Sequence, residues 1–161
     1  MSKLNFGWET ITSVMEDGFE DLMTLHWQEV ALDQARVPLA PDWPKYRHLE
    51  RAGVLRTVGA RLGNRLVGYD VFFVQPTMHY STSLWAVNDV LYLDPDHRRG
   101  MAGARLIKES EPLLRSLGVE KVLYHTKLHT QHGHGMAKGT VGDLLAKLGY
   151  KHVENVYAKM L

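Results

Sequence analysis

Two apolar segments, residues 54–62 and 65–75, are separated only by Gly63 and Asn64. Such a two-residue connection predicts a tight β-hairpin, because glycine readily adopts the positive φ that the turn requires. The second segment contains the run VFFV at residues 71–74, which has no polar face, so both sides of its strand are expected to be covered. Residues 84–93 predict a third strand. The chain is therefore expected to form a sheet with helices packed against it.

The other segments predict helices and strands around this hairpin. Asp17 and Glu20 resemble a helix-capping pair, and the apolar spacing that follows predicts a helix over residues 18–34. Pro112 lies inside a later helix, predicted over residues 101–117, and it predicts a kink near Lys108 because proline removes a backbone N–H donor. The remaining predicted elements are a strand at 8–14, a connector with Pro38, Pro41 and Pro44, a helix at 42–51, a loop at 76–83, the helix at 101–117, a strand at 119–126, a helix at 141–148 and a strand at 151–159. The order β-α-α-β-β-β-α-β-α-β indicates an α/β (α+β) fold with a mixed sheet.

Composition excludes several classes of protein. The 161 residues suit one domain spanning 1–161, and 45% apolar with 23% charged residues is typical of a folded globular chain. Nineteen basic and eighteen acidic residues leave a net charge of +1, so no overall field attracts nucleic acid or a membrane. The absence of cysteine excludes disulfides, thiolate nucleophiles and Cys-ligated zinc. With neither a membrane-length apolar run nor a signal-peptide pattern, the expected location is the cytoplasm.

Residues 87–105 read VNDVLYLDPDHRRGMAGAR and carry the strongest functional signal. A buried strand ends, His97, Arg98 and Arg99 form a basic loop, and small residues at Gly100, Ala102 and Gly103 open a helix. The unpaired N–H groups of a helix start attract phosphate, and adjacent arginines add forked donors. The pattern therefore predicts a phosphate or pyrophosphate site. The alternative is a tight turn flanked by solvated arginines.

The stretch from His97 to Ala102, HRRGMA, matches the signature [QR]-x-x-G-x-[GA] except that histidine replaces Gln or Arg at its first position. Residues 91–95, LYLDP, look like the strand and turn before that signature, and residues 144–150, LLAKLGY, resemble the segment FYEKLGF. In these motifs and in its element order, the chain resembles the GCN5-related N-acetyltransferase (GNAT) family.

The resemblance implies transfer of an acetyl group from acetyl-CoA to a primary amine of a small molecule or a protein. It implies that the signature loop holds the pyrophosphate through backbone N–H groups and that the preceding strand pairs with the pantetheine arm. That strand is expected to splay from residues 119–126, leaving a gap for the thioester. The implied cofactor-binding residues are Leu91, Tyr92, Leu93, His97, Arg98, Arg99, Gly100, Met101, Ala102 and Gly103.

Acid–base groups are harder to assign. Asp89 is the candidate base, because strand alternation places it on one face with Trp85, Val87, Leu91 and Leu93, and an apolar setting raises a carboxyl pKa. Its alternative is a structural carboxylate held by backbone donors or Arg105. The family's usual acid is a tyrosine at the position of Leu145. Tyr150, named as the candidate catalytic tyrosine, and Tyr157 lie nearby in sequence, and either could substitute, so the acid stays unassigned.

Four histidines, His125, His129, His132 and His134, fall within ten residues. One interpretation is a polar loop that lines the acceptor mouth. A second gives one histidine, preferably His125 at a strand end, an acid or base role. A metal site is the third and is not favoured, because no carboxylate or cysteine ligand accompanies the cluster.

Two other functions compete with acetyl transfer. Leu145 in place of tyrosine leaves open a CoA-binding module or sensor without turnover. A nucleic-acid-associated protein could use Arg98, Arg99 and Arg105, but near-neutral charge argues against it. The expected partner is a small-molecule or protein amine, with no membrane contact, and the predicted last strand leaves a homodimer open.

Overall fold

The computed structural model describes residues 3–127 and 140–161. The chain divides into two compact units, one ending at Lys127 and one beginning at Leu128. The elements of the first unit are β1 (Leu4–Glu9), α1 (Ile11–Glu16), α2 (Phe19–Val30), α3 (Trp43–Arg51), β2 (Leu55–Leu62), β3 (Arg65–Thr77), β4 (Tyr80–Leu93), α4 (Ala102–Ser116) and β5 (Lys121–Leu123). The second unit contains α5 (Val141–Lys147).

The strands of the first unit form one sheet in the order β1-β2-β3-β4-β5. The first three pairings are antiparallel and β4 pairs with β5 in parallel, so the predicted mixed α/β sheet is confirmed. The predicted hairpin is also present: Leu62 faces Arg65 across the turn, and Gly63 has a φ of +61°.

Two apolar layers cover the sheet. Val71 packs with α1 and α2 residues on one face, whereas Phe72 packs with α4 residues on the other, and both side chains are fully buried. The expectation that the VFFV strand is covered on both sides is thus confirmed. In β3, Gly68 allows the close approach of β4, since a Cβ there would lie 2.8 Å from the Tyr92 carbonyl oxygen.

The N-terminal elements differ from the prediction. The strand occupies Leu4–Glu9, and residues 11–16 form a helix instead of continuing it. The Thr10 side chain accepts the Ser13 N–H at 3.0 Å, and the Glu50 carboxylate accepts the Ile11 N–H at 2.8 Å, which satisfies two donors of the helix start. Residues 76–83 were also expected to form a loop, but β3 and β4 continue to the pair Thr77–Tyr80.

Two later elements are shorter than expected and one is missing. The strand predicted over 119–126 spans only Lys121–Leu123. The helix predicted over 141–148 spans Val141–Lys147, and it begins with a capping box between Thr140 and Asp143. Residues 151–159 form no strand and are exposed, and none of the strand pairings among the described residues includes them. A strand requires a partner for its backbone groups, so the strand prediction was wrong and its homodimer rationale is lost. Helix α4 continues through Pro112.

Across residues 3–127 and 140–161, no helix combines the length and apolar character that a membrane span requires.

Candidate active site

A β-bulge places Asp89 at the centre of β4. Val71 and Phe72 are consecutive in β3 but pair with Val90 and Asn88, so Asp89 has no opposite residue. The bulge shifts the alternation of side chains along β4. The prediction that Asp89 shares one face with Trp85, Val87, Leu91 and Leu93 was therefore wrong.

The core clusters show this shift directly. Ala86, Leu91 and Leu93 pack on the face covered by α4, although strict alternation would place Ala86 opposite the other two. Val90 and Tyr92 pack on the other face. Asp89, the bulged residue, has no paired residue in β3, and it is exposed although it lies within a long strand.

The strands β4 and β5 separate beside this bulge. Their parallel pairing runs only from Trp85–Lys121 to Val87–Leu123, while β4 continues to Leu93. Within residues 3–127, the edge of β4 beyond Val87 has no strand partner on the β5 side. The pairing thus ends where the splay was predicted, because β5 ends at Leu123, and Leu91, Tyr92 and Leu93 lie along the edge of β4 beyond it.

Asp89 has charged and polar neighbours at this gap. Partial desolvation raises the pKa of the Asp89 carboxyl, and positive charge at Lys127 and His125 opposes that rise. Burial raises the pKa of the Tyr46 hydroxyl, and the Asp89 carboxylate adds to that effect. The Asp89 carboxyl thus interacts electrostatically with Lys127, His125 and Tyr46, so two of the predicted catalytic residues, Asp89 and His125, interact.

The signature loop follows the end of β4. Residues Pro95–His97 form a short 3₁₀ turn, which Asp94 caps by accepting the Asp96 N–H at 3.0 Å. Gly100 has a φ of +65°, and a Cβ there would meet no atom within 4 Å. The loop thus turns at Gly100 with open space beside its backbone.

The start of α4 leaves backbone donors available. No side chain caps Met101, and Arg105 donates its N–H to the Met101 carbonyl at 2.8 Å. The N–H groups of Ala102 and Gly103 precede that bond and belong to the unpaired first turn. A glycine turn followed by an uncapped helix start fits an anionic phosphate group.

Arg98 does not present its guanidinium to this space. It forms a bidentate ion pair with Glu29 of α2, at 2.5 and 2.6 Å, and donates Nε to the Leu93 carbonyl at 2.7 Å. Its backbone N–H also bonds to the Pro95 carbonyl. In this structure the Arg98 side chain therefore connects the loop to α2, and its predicted contact with phosphate stays a prediction. Arg99 is exposed and His97 half-buried.

A polar cluster formed by His26, Tyr69, Tyr92 and Glu29 was not predicted from the sequence. The His26 ring lies 2.8 Å from the Tyr69 hydroxyl and stacks on Tyr92, whose hydroxyl donates to Glu29. Burial lowers the pKa of His26 to about 4, so its ring is neutral at neutral pH. These contacts join residues far apart in the chain, and no local motif marks them.

An open surface cavity of about 360 Å³ lies beside α2, the proline-rich connector and α3. Its lining comprises Met23, Trp27, Ala31, Leu32, residues 37–41, Tyr46 and Lys127. Tyr46 lines this cavity, whereas Trp43 packs against Phe19 with ring centroids 5.9 Å apart.

Of the remaining predicted residues, three lie outside the described part of the chain and two belong to the second unit. His129, His132 and His134 lie outside the described residues. Tyr150 belongs to the second unit, where it is half-buried and donates its N–H to the Leu145 carbonyl at 3.0 Å. Tyr157 is 90% exposed. The acid role of Tyr150 stays a prediction.

Solved structures of other proteins share this fold. A ribosomal-protein-alanine N-acetyltransferase from Brucella melitensis biovar Abortus 2308 is 18% identical, with 99% of each chain covered and a TM-score of 0.69. An aminoglycoside acetyltransferase, HMB0005, from an uncultured soil metagenomic sample is 14% identical, with 99% of each chain covered and a TM-score of 0.71. A predicted acetyltransferase with acetyl-CoA from Clostridium acetobutylicum is 10% identical, covering 98% of this chain and 96% of the other, with a TM-score of 0.63.

At the level of sequence, no curated protein matches the chain. The family model described as "Acetyltransferase (GNAT) family" matches residues 19–139, which include the Asp89 bulge, the separated edge of β4 and the Gly100 turn. The chain therefore belongs to the GNAT acetyltransferase family.

Proposed function

We propose that this protein transfers an acetyl group from acetyl-CoA to a primary amine. The observation that carries the proposal is the bulged edge of β4, which has no strand partner beyond Val87 within residues 3–127, next to the Gly100 turn and the uncapped start of α4. Membership of the GNAT family and a structural neighbour with acetyl-CoA agree with it.

The residues of the loop and of β4 fit acetyl-CoA. Open space at Gly100 lets a phosphate approach the backbone, and the N–H groups of Arg99 to Gly103 supply donors without a competing side-chain cap. The edge at Leu91–Leu93 supplies backbone groups for an extended amide chain, in the manner of strand addition. When bound, acetyl-CoA supplies an activated acyl group as a thioester.

The protein's own residues would prepare the amine. An alkyl ammonium with a pKa near 10 is not nucleophilic, so a base must take its proton. Asp89 is the proposed base, because a raised pKa makes its carboxylate a stronger proton acceptor. As the bulged residue of β4, it also has no paired residue in β3. His125 is the second candidate for that proton, and Tyr150 is the proposed donor to the departing thiolate.

The test combines binding with turnover. Calorimetry with acetyl-CoA and release of the CoA thiol in the presence of an amine panel are both expected to be positive. Asp89→Asn is expected to retain acetyl-CoA affinity within about twofold and to lose about 100-fold or more in kcat, the typical contribution of a general base. Asp96→Asn, an exposed carboxylate in the turn after β4, is the matched control.

The outcomes separate the alternatives. Binding without turnover for any amine would favour a CoA-binding module over an enzyme. Unchanged kcat and an unchanged pH profile in Asp89→Asn would remove Asp89 from the mechanism.

A further inference from the structure

The β-bulge that contains Asp89 is held by a buried side chain next to it in sequence. We propose that Asn88 is a positioning residue: its side-chain amide fixes the bulge in β4 and thereby the place of the Asp89 carboxylate. This inference rests on the proposed function, in which Asp89 is the base. Three observations support it: the oxygens that the amide contacts, its burial and the residues that orient it.

The Asn88 amide contacts the backbone of both strands at the break in register. Its Nδ2 donates to the carbonyl oxygen of Val71 in β3 at 3.3 Å and to that of Val90 in β4 at 3.1 Å. The register shifts directly after Val71, and Val90 follows Asp89. A bulge disrupts the ladder locally, and buried backbone groups still require hydrogen-bond partners. The amide supplies donors from a side chain and so connects both strands at the bulge.

These contacts require a side chain that donates hydrogen bonds. The third oxygen at Nδ2 is Oδ1 of Asp70, at 2.8 Å. An asparagine amide carries two N–H protons on one nitrogen, which suits a position with several acceptors. An aspartate or a leucine is close to it in size and has no such donors. The asparagine at position 88 thus matches the bulge in its chemistry and not only in its size.

Asp70 fixes the direction of the amide. Asn88 and Asp70 are both buried, and hydrogen bonds are stronger in a buried setting than in water. The other carboxyl oxygen, Oδ2, lies 2.7 Å from the Tyr124 hydroxyl and 3.0 Å from the Ser110 hydroxyl. Through these contacts Asp70 is held by α4 and by the residue that follows β5. A turn of its carboxyl would break them, so the Asn88 amide is held as well.

The bulge lies where its geometry affects the proposed reaction. The pairing of β4 with β5 ends at Val87–Leu123, directly before Asn88, so the bulge begins where the edge of β4 loses its strand partner within residues 3–127. A misplacement of about 1 Å can reduce a catalytic rate about 100-fold. Loss of the Asn88 amide is therefore expected to reduce turnover through Asp89.

The test is a double-mutant cycle between Asn88 and Asp89. We measure kcat with acetyl-CoA and the best acceptor among phenethylamine, spermidine, kanamycin and a peptide with N-terminal alanine. Asn88→Ala is expected to reduce kcat about tenfold or more in the wild type and less than about twofold in Asp89→Asn, because a misplaced base matters only where the base is present. Calorimetry is expected to give an acetyl-CoA affinity within about twofold of wild type for Asn88→Ala, since it changes no group of the signature loop.

Ser110→Ala is the matched control. It removes a hydroxyl on the far side of Asp70 and none of the contacts of Asn88. It is expected to lower the urea midpoint and to keep kcat within about twofold of wild type. Asn88→Ser enters the same cycle in case Asn88→Ala does not fold. Its hydroxyl keeps one donor at this position, which cannot serve both strands, so kcat is still expected to fall.

Crystal structures of the wild type and of Asn88→Ala, or of Asn88→Ser where the first does not fold, give a readout that does not depend on turnover. The Asp89 carboxylate is expected to move by about 1 Å or more in the variant. The same carboxylate position in both proteins would overturn the inference.

The kinetic outcomes distinguish the inference from the function on which it rests. Equal losses of kcat in the wild type and in Asp89→Asn would show that Asn88 acts independently of Asp89 and would overturn the inference. An unchanged kcat in the Asn88 variants would overturn it as well. If Asp89→Asn has the kcat of wild type, the base assignment and this inference both fall, whereas acetyl transfer stands. Failure to acetylate any of the four amines would count against the proposed function itself, and the crystal structures then decide whether Asn88 holds the bulge.

Discussion

Asp70 lies in β3 with its carboxyl fully buried. Its Oδ1 accepts a bond from the Asn88 amide at 2.8 Å, and its Oδ2 accepts one from the Tyr124 hydroxyl at 2.7 Å. The Ser110 hydroxyl lies 3.0 Å from the same Oδ2 and 2.9 Å from the Leu106 carbonyl, but it has only one proton to donate. When that proton goes to Leu106, the contact with Asp70 requires a proton on Asp70. The geometry therefore agrees with a neutral carboxyl.

Burial raises the pKa of Asp70 to about 8, against 3.8 for the ordinary group. Between these values the folded protein binds the proton more tightly than the unfolded chain, so the contribution to stability is complete below about pH 4 and is lost as the pH rises through about 8. We expect the difference in unfolding free energy between wild type and Asp70→Asn to change by a few kcal/mol over this window. Urea denaturation at several pH values measures it.

The comparison with Asp70→Asn is necessary because His26 acts in the opposite direction. Burial lowers its pKa to about 4, so its contribution is lost as the pH falls from 6.5 toward 4. Both proteins contain His26, and its effect cancels in the difference. Parallel pH profiles for the two proteins would show that Asp70 does not titrate in this range.

At the scale of elements, the Glu29–Arg98 pair connects α2 to the loop before α4. The two side chains are 39% and 40% exposed, and an exposed pair is worth at most about 1 kcal/mol. We therefore expect Glu29→Gln to leave the fold intact and to weaken acetyl-CoA binding about two- to fivefold by releasing the loop. Calorimetric titration with acetyl-CoA measures the change.

The matched control is Glu20→Gln, an acidic residue in the first turn of the same helix. Arg98→Lys keeps the charge but loses the forked geometry and should weaken binding similarly. Equal affinity in wild type, Glu29→Gln and Arg98→Lys would show that the pair has no part in shaping the loop.

The same elements show what sequence could and could not predict. The turn at Gly63 and the loop at Gly100 follow from local rules, because each depends on a glycine with positive φ within a short segment. The Asp89 bulge depends on how β4 aligns with β3, and alternation within β4 alone could not reveal it. Likewise, Arg98 was assigned to phosphate from its neighbours, although its partner Glu29 lies 69 positions away.

For the whole molecule, the predicted sheet with two covered faces was confirmed, whereas the last strand was not. Residues 65–77 include apolar side chains that pack in both apolar layers, so the sequence of this segment alone indicates that both of its faces are buried. Residues 151–159 have strand-like composition but no partner in the described sheet, and composition does not supply one. The strand that failed depends on a partner that its own sequence does not specify.

The first unit combines its core and the proposed acetyl-CoA site in one sheet, so ligand binding should stabilise that fold. A ligand at about 100 times its Kd adds roughly 2.7 kcal/mol to the unfolding free energy, which corresponds to a rise in Tm of several degrees at this size. We expect acetyl-CoA to raise Tm accordingly. S-acetyl-N-acetylcysteamine, which has the thioester but no pyrophosphate, should have little effect at the same concentration.

A pair of glycine variants assigns that stabilisation to the loop. Gly100→Glu and Gly118→Glu both replace a glycine of positive φ with open space at its Cβ, at opposite ends of α4, so each incurs a similar strain of roughly 1 kcal/mol. Only Gly100→Glu places a carboxylate where phosphate would approach, and it should lose the Tm shift that Gly118→Glu keeps. If Gly100→Glu retains the full shift, the pyrophosphate does not bind at this turn, and the start of α4 has another role.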